Sequence, residues 1–204
     1  SSYVLFDQSP PSNFSVDTVY VEGLINEKGY WNSNSDSIVI VIPISDQDQS
    51  LLDGECQLKL SFDGEPFTDT GDPIRISTLG LLNVSLLRNN FISLPSYSEG
   101  SNVRFTAIIR DRAGNSTIGT AFQDSIHIDE TRPQLYNISL TNSNEFESYW
   151  AKVGDQASLS FISDEGLKGP ILTFNEDTVD LVANNSGLEW SSTYDLHNET
   201  REGL

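Results

Sequence analysis

The sequence predicts an all-β fold: two antiparallel β-sandwiches in tandem, with Greek-key connections. Three observations carry that reading. Apolar and polar residues alternate with period two along most of the 204 residues. Turn-forming pairs such as Asp53-Gly54, Asp63-Gly64, Gly114-Asn115 and Ser186-Gly187 break the alternation at short intervals. The chain also echoes itself. Asp7-Gln8-Ser9-Pro10-Pro11 returns as Asp129-Glu130-Thr131-Arg132-Pro133, 122 residues on. Tyr30-Trp31, followed by Asp36, returns as Tyr149-Trp150 followed by Asp155, 119 residues on. A repeated spacing of this kind is the signature of a tandem array.

The first unit, residues 13–130, is expected to hold strands near 16–25, 37–45, 56–62, 73–77, 83–93, 103–110 and 118–128. Residues 37–42 read Ser-Ile-Val-Ile-Val-Ile, β-branched and apolar on both faces, as a central strand requires. Val103, Phe105 and Ala107 are placed inward on the cleaner alternation of 103–110. The second unit, residues 131–204, is expected to hold strands near 135–142, 156–163, 171–174, 178–183 and 188–196. No amphipathic helix pattern stands out.

Residues 1–12 read as the last strand of a preceding repeat plus a linker, because Tyr3-Val4-Leu5-Phe6 matches Ser125-Ile126-His127-Ile128. At the other end, residues 194–203 echo 97–100, a point that precedes the last two strands of the first unit. The second sandwich is therefore expected to lack its final two strands. An open sheet edge is a liability, so the segment reads as cut from a longer array and completed by further sequence or by a partner.

Thirty acidic residues against eleven basic ones give a net charge of −19. That charge repels phosphate backbones and argues against nucleic-acid binding, while it suits divalent cations or basic partners. The single cysteine, Cys56, excludes an intrachain disulfide and is expected to be a small buried hydrophobe. A cysteine-poor exported bacterial protein fits better than a secreted animal one. No apolar run approaches the ~20 residues of a membrane span, and no leader pattern is present. Six Asn-x-Ser/Thr sequons begin at Asn13, Asn83, Asn115, Asn137, Asn184 and Asn198; they matter only in a eukaryotic secretory pathway. Only His127 and His197 exist, neither in zinc-type spacing, and no nucleophile elbow or phosphate loop is visible. No enzyme activity is expected.

Asp111-Arg112-Ala113-Gly114-Asn115 between two alternating stretches, followed by Asp129-x-Thr131-x-Pro133, resembles the tandem immunoglobulin-like repeats of large bacterial surface proteins and adhesins. The resemblance spans nearly the whole chain; the insertions at 46–55 and 63–72 depart from it. It implies a hairpin joining the last two strands, a linker leading into the next domain, and a non-catalytic stalk or adhesion module at the cell surface or outside the cell. Its partners would be other domains of the same array and a protein or glycan surface ligand.

In a sandwich of this type the second-to-third-strand loop and the last hairpin lie at the end where the chain enters. Asp129 and Glu130 on the linker and Asp164 and Glu165 on the following loop would then converge at the junction between units. The first unit offers Asp7, Asp46, Asp48 and Asp111 in the same places. Calcium takes six to eight oxygen ligands, so calcium-dependent stiffening of the junctions is expected. The alternative is that these acids are solvated loop residues, and Asp111 has a structural use, accepting N–H bonds across its hairpin. Asp46-x-Asp48-x-Ser50 is no EF-hand: its sixth position is Leu51 and its twelfth Gln57. Trp31 and Trp150 hold equivalent places and are both expected to pack, as is Trp190. An exposed tryptophan face would instead stack on sugar rings, the mark of a carbohydrate-binding accessory module of a secreted enzyme.

Overall fold

The computed structural model describes residues 6–24, 28–147, 149–174 and 176–198. Its backbone contacts divide the chain after Thr131 into two units.

In the first unit the strands are β1 (Thr18–Gly23), β2 (Tyr30–Trp31), β3 (Ser35–Ile44), β4 (Glu55–Phe62), β5 (Thr68–Asp69), β6 (Ile74–Arg75), β7 (Gly80–Leu87), β8 (Asn102–Arg110), β9 (Ser116–Ile118) and β10 (Ile126–Ile128), with one short helix, α1 (Arg88–Ile92). One sheet has the order β1-β3-β7; the other runs β2-β10-β8-β4-β5, with β6 also on β4 and β9 also on β8. The chain crosses between the sheets from β1 to β2, β2 to β3, β3 to β4, β6 to β7 and β7 to β8, so many strands consecutive in sequence lie in different sheets. Ile38, Ile40 and Ile42 on β3 meet Leu58 and Leu60 on β4 and Val103, Phe105, Ala107 and Ile109 on β8 in one buried cluster. Two sheets over one core make this unit a β-sandwich. Each fully buried side chain of this size contributes about 1.5–3 kcal/mol relative to exposure, so the cluster needs no disulfide.

The double-sided apolar pattern of β3 has a direct cause. The inner isoleucines form the core, while Val39 and Val41, on the opposite face, are only 6% and 9% exposed. They are shielded in the middle of the sheet, with Tyr20 and Ser85 flanking Val39 and Thr18 and Asn83 flanking Val41.

Two predicted strands of the first unit are broken. The run 83–93 stops at Leu87, and α1 follows, because one helical turn tucks Phe91 into the end of the core against Trp31, Phe62 and Tyr97. The run 118–128 divides into β9 and β10. Gly119, between them, lies so close to Phe14 that a Cβ there would sit 2.3 Å from the ring. The missing side chain admits the phenylalanine of the entering segment, and Ser15 pairs in parallel with Thr120.

The second unit holds β11 (Leu135–Asn142), β12 (Gln156–Ser163), β13 (Leu172–Phe174), β14 (Asp177–Val179), β15 (Val182–Ala183) and β16 (Glu189–Asp195). One antiparallel sheet has the order β11-β12-β16-β15, and β13 and β14 form a separate hairpin. The predicted strand 178–183 is thus divided between β14 and β15. Asn137, at a left-handed φ of 51°, marks an irregularity in β11. Among the described residues of this unit, only Ala157 and Phe161 are buried hydrophobics. The matches drawn from residues 3–5 and 199–203 lie outside the described residues. Among the described residues, no helix is long and apolar enough to cross a membrane.

Candidate functional site

Strand β8 spans the first unit from one pole to the other. Its nine residues rise about 3.4 Å each, which separates the poles by about 27 Å. The chain enters at the Arg110 end and leaves at the Asn102 end.

At the entering pole, the segment before β1 lies along β9. The Asp7 carbonyl accepts the Asn115 side-chain amide at 3.3 Å, the Pro11 carbonyl accepts the Thr117 hydroxyl at 2.5 Å, and the Phe14 carbonyl accepts Thr120 N–H at 2.8 Å. Asn115 is positioned by Asp111, which is buried and accepts both its backbone N–H (2.9 Å) and its side-chain amide (3.0 Å). Gly114 supplies the left-handed φ of 95° that this tight turn needs. Arg112 N–H donates to the Ser50 carbonyl at 3.1 Å, which brings in the loop after β3. In this unit, then, the entering segment, that loop and the last hairpin do meet at one end.

Each of the acids there already serves its own turn. Asp7 accepts Ser9 N–H at 3.0 Å, and Asp46 accepts the Gln47 side chain at 2.9 Å. Asp48 caps the short 3₁₀ turn by accepting Ser50 N–H at 3.0 Å. In the second unit Asp164 and Gln134 close a reciprocal pair: Gln134 N–H donates to the Asp164 carboxylate at 2.8 Å, and Asp164 N–H donates to the Gln134 carbonyl at 3.2 Å. Glu165 is half-buried. Within either unit, no group of three or more His, Cys, Asp or Glu side chains is gathered to hold a metal among the described residues.

The exit pole is built around Trp31, which is fully buried. Its ring packs edge-on against Phe91 at 4.8 Å, the Arg88 guanidinium lies 5.4 Å above the indole, and its N–H donates to the Tyr97 hydroxyl at 3.0 Å. Arg88 donates to the carbonyls of Asn32 and Ser35, each at 3.1 Å, and pairs with the Glu130 carboxylate. Burial, followed by the Glu130 carboxylate, pushes the Tyr97 phenol up. Glu99 accepts Glu130 N–H at 2.9 Å and Thr131 N–H at 3.3 Å. Those backbone donors, that of Glu130 first, hold the Glu99 carboxyl below its ordinary value. Asp129 N–H donates to the Trp31 carbonyl at 2.8 Å. The exit linker is therefore clamped over three successive residues, and Glu130 faces an arginine of its own unit.

Sequence reasoning missed Arg88, Tyr97 and Glu99. Tyr97 and Glu99 fall in a segment without periodicity, and Arg88 was placed inside a strand. The expectation for Trp150 is corrected: it is 73% exposed, because among the described residues no counterpart of the Phe91–Tyr97 pocket that encloses Trp31 surrounds it. Trp190 is half-buried and stacks on Phe161 with centroids 6.5 Å apart; its indole N–H is buried without a hydrogen-bond partner. Cys56 is fully buried, and that burial pushes its thiol up to about 12.

No protein-family model matches the sequence, and no curated protein is significantly similar to it.

Proposed function

We propose that this chain is a non-catalytic, extracellular stalk segment of a surface protein, built of tandem immunoglobulin-like sandwiches with Greek-key connections, that holds binding regions away from the cell. The observation that supports it best is the polar geometry of the first unit. The chain enters at one end and leaves at the other, and side chains of the unit itself pin both segments.

The terminal pairings suit load bearing. The entering segment runs parallel to Thr120, and β2 runs parallel to β10. Tension between the two ends of the unit acts along such pairs, so their hydrogen bonds are strained together rather than opened one by one. Calcium enters the proposal as an added stiffener at Asp7, Asp46, Asp48, Asp111, Asp129 and Asp164. A carboxylate offers about four lone-pair sites, more than the donors found on these.

The test is force spectroscopy on the first unit, pulled through its natural ends and, separately, through cysteines placed to unzip β8 from β4. A clearly higher rupture force through the natural ends is expected; equal forces would remove the mechanical argument. An antiserum to the segment should label intact cells of its source. A second reading, a carbohydrate-binding accessory module of a secreted enzyme, is favoured by the exposed neighbours Tyr149 and Trp150, 91% and 73% open to solvent. Saturation transfer from those rings to an oligosaccharide would favour it over the stalk.

A further inference from the structure

We propose that Tyr194, Asp177 and His197 of the second unit form a site for ferric iron, and that the ion staples the β13–β14 hairpin to the main sheet of that unit. The site is separate from the stalk reading. None of the three residues belongs to the calcium positions at the linkers, and their donor set is not one that calcium uses.

Three elements bring the donors together. Tyr194 lies on β16, Asp177 opens β14, and His197 follows the end of β16. The Tyr194 hydroxyl donates to a carboxylate oxygen of Asp177 at 2.6 Å and stands 3.0 Å from His197 Nε2. That nitrogen is 4.0 Å from the same carboxylate oxygen. One imidazole nitrogen and two oxygens thus mark the corners of a small triangle. Donors that share an ion at about 2.0–2.2 Å stand about 3 Å apart, so only the longest side has to shorten, by about 1 Å. The His197 and Asp177 side chains are 50% and 56% exposed, which leaves water free to complete the coordination of an ion. The Tyr194 ring itself is held, with Phe174 at 4.6 Å and His197 at 5.8 Å between centroids.

The donors select the metal. Calcium and magnesium take oxygen ligands, whereas an imidazole suits zinc, copper, nickel or iron. The phenol narrows the choice, because it ligates as phenolate and gives up its proton at neutral pH only to a strongly polarising ion. Ferric iron is such an ion, and tyrosinate is one of its ligands in haem proteins. On binding, the Tyr194 O–H bond breaks and its oxygen bonds to iron. The proton that Asp177 accepts in the free protein leaves to water, which frees that carboxylate to coordinate beside His197. A chain of net charge −19 also draws cations towards it.

The position gives the ion a role. Strands β13 and β14 form a sheet of their own. The contacts that hold them on the main sheet include Phe174 on Tyr194, the Ser192 hydroxyl on the Asp180 carbonyl at 2.6 Å, and the Tyr194–Asp177 bond. Among the described residues of this unit only Ala157 and Phe161 are buried hydrophobics. Where a core is this small, a bound metal supplies folding free energy that burial does not.

The test adds ferric citrate to the full chain. A visible phenolate-to-iron charge-transfer band should appear and saturate at one ion per chain. Exchange at the Leu172–Phe174 and Asp177–Val179 amides should slow as it does, since a ligand bound only by the native state stabilises it. Tyr194→Phe should abolish the band. Asp177→Asn and His197→Gln leave the Phe174–Tyr194 packing in place and should each weaken binding by about tenfold or more, while His127→Gln in the first unit leaves it unchanged. No band, a band that survives Tyr194→Phe, or an affinity indifferent to Asp177 and His197 overturns the site. A band with unaltered exchange in the hairpin overturns the staple. The rupture forces of the first unit are unaffected by any of these results, so a failure here is distinguishable from a failure of the stalk reading.

Discussion

Replacing Glu130 with glutamine separates two accounts of the exit linker, because the carboxylate has two incompatible uses. As a calcium ligand it would contribute only when metal is bound. As the partner of Arg88 it contributes always. The pair is partly buried, with side chains 30% and 25% exposed. A hydrogen bond to a charged group is worth about 1.5–3 kcal/mol, and partial solvent screening brings that to about 1–2 kcal/mol. In a unit of this size that corresponds to a fall in melting temperature of about 4–8 °C. Calorimetry of Glu130→Gln, in millimolar calcium and again in chelator, should show the same loss in both. Combining it with Arg88→Met should give less than the sum of the single changes, since the two groups share one interaction. Tyr97 supplies a second readout. The Glu130 charge helps to raise its phenol, so the tyrosinate absorbance of the variant should titrate at lower pH. A loss seen only in calcium, or strict additivity with the arginine variant, would refute the clamp and restore Glu130 to the metal reading.

Three further outcomes follow from the same geometry. Asp111→Ala removes a buried acceptor of two bonds from Asn115 and should cost about 1–3 kcal/mol in denaturant unfolding, with Asp111→Asn losing less. Glu99 has a depressed carboxyl, so its contribution is complete above the ordinary glutamate value and is lost as pH falls through the folded one. Exchange at the Glu130 and Thr131 amides should accelerate over that window, and Glu99→Gln should remove the acid step. The Cys56 thiol, at about 12, should resist thiol reagents in the native protein and react only as the unit unfolds. Its contribution to stability is intact below the unfolded thiol value of 9.0 and declines as pH rises from there toward 12.

What the sequence made legible was whatever depends on neighbours in the chain. Strands β4, β8, β12 and β16 lie close to where alternation put them, because a pleated strand with one face buried must alternate, and β3 lies where its β-branched run put it. The turns at Asp53, Asp63 and Gly114 were readable for a similar reason: each takes a left-handed φ, which Asp and Gly tolerate better than branched residues. Where contacts are distant in sequence, the reading stopped. Nothing near Glu130 says that Arg88, 42 residues earlier, faces it. Nothing near Trp31 says that Phe91 and Tyr97 will enclose it, so the echo at Trp150 suggested a burial that does not occur. An acidic residue is legible by its charge, while the donor that the fold brings opposite it is not.

The two motifs that suggested tandem repeats belong to one hydrogen-bonded structure, and this gives their pairing a physical reason. Asp111 fixes Asn115, whose amide reaches the carbonyl of Asp7, while the side chain of Asp7 holds Ser9 N–H. Asp-x-Ala-Gly-Asn is therefore the clasp of the hairpin, and Asp-x-Ser-x-Pro is what it closes on. Neither half is useful to this end without the other. In the second unit the entering segment is held differently, by the reciprocal hydrogen bonds of Gln134 and Asp164. In the first unit the clasp reaches the entering segment from the far end of the unit's sequence, so cutting the Asp111–Asn115 contact should loosen the segment before β1.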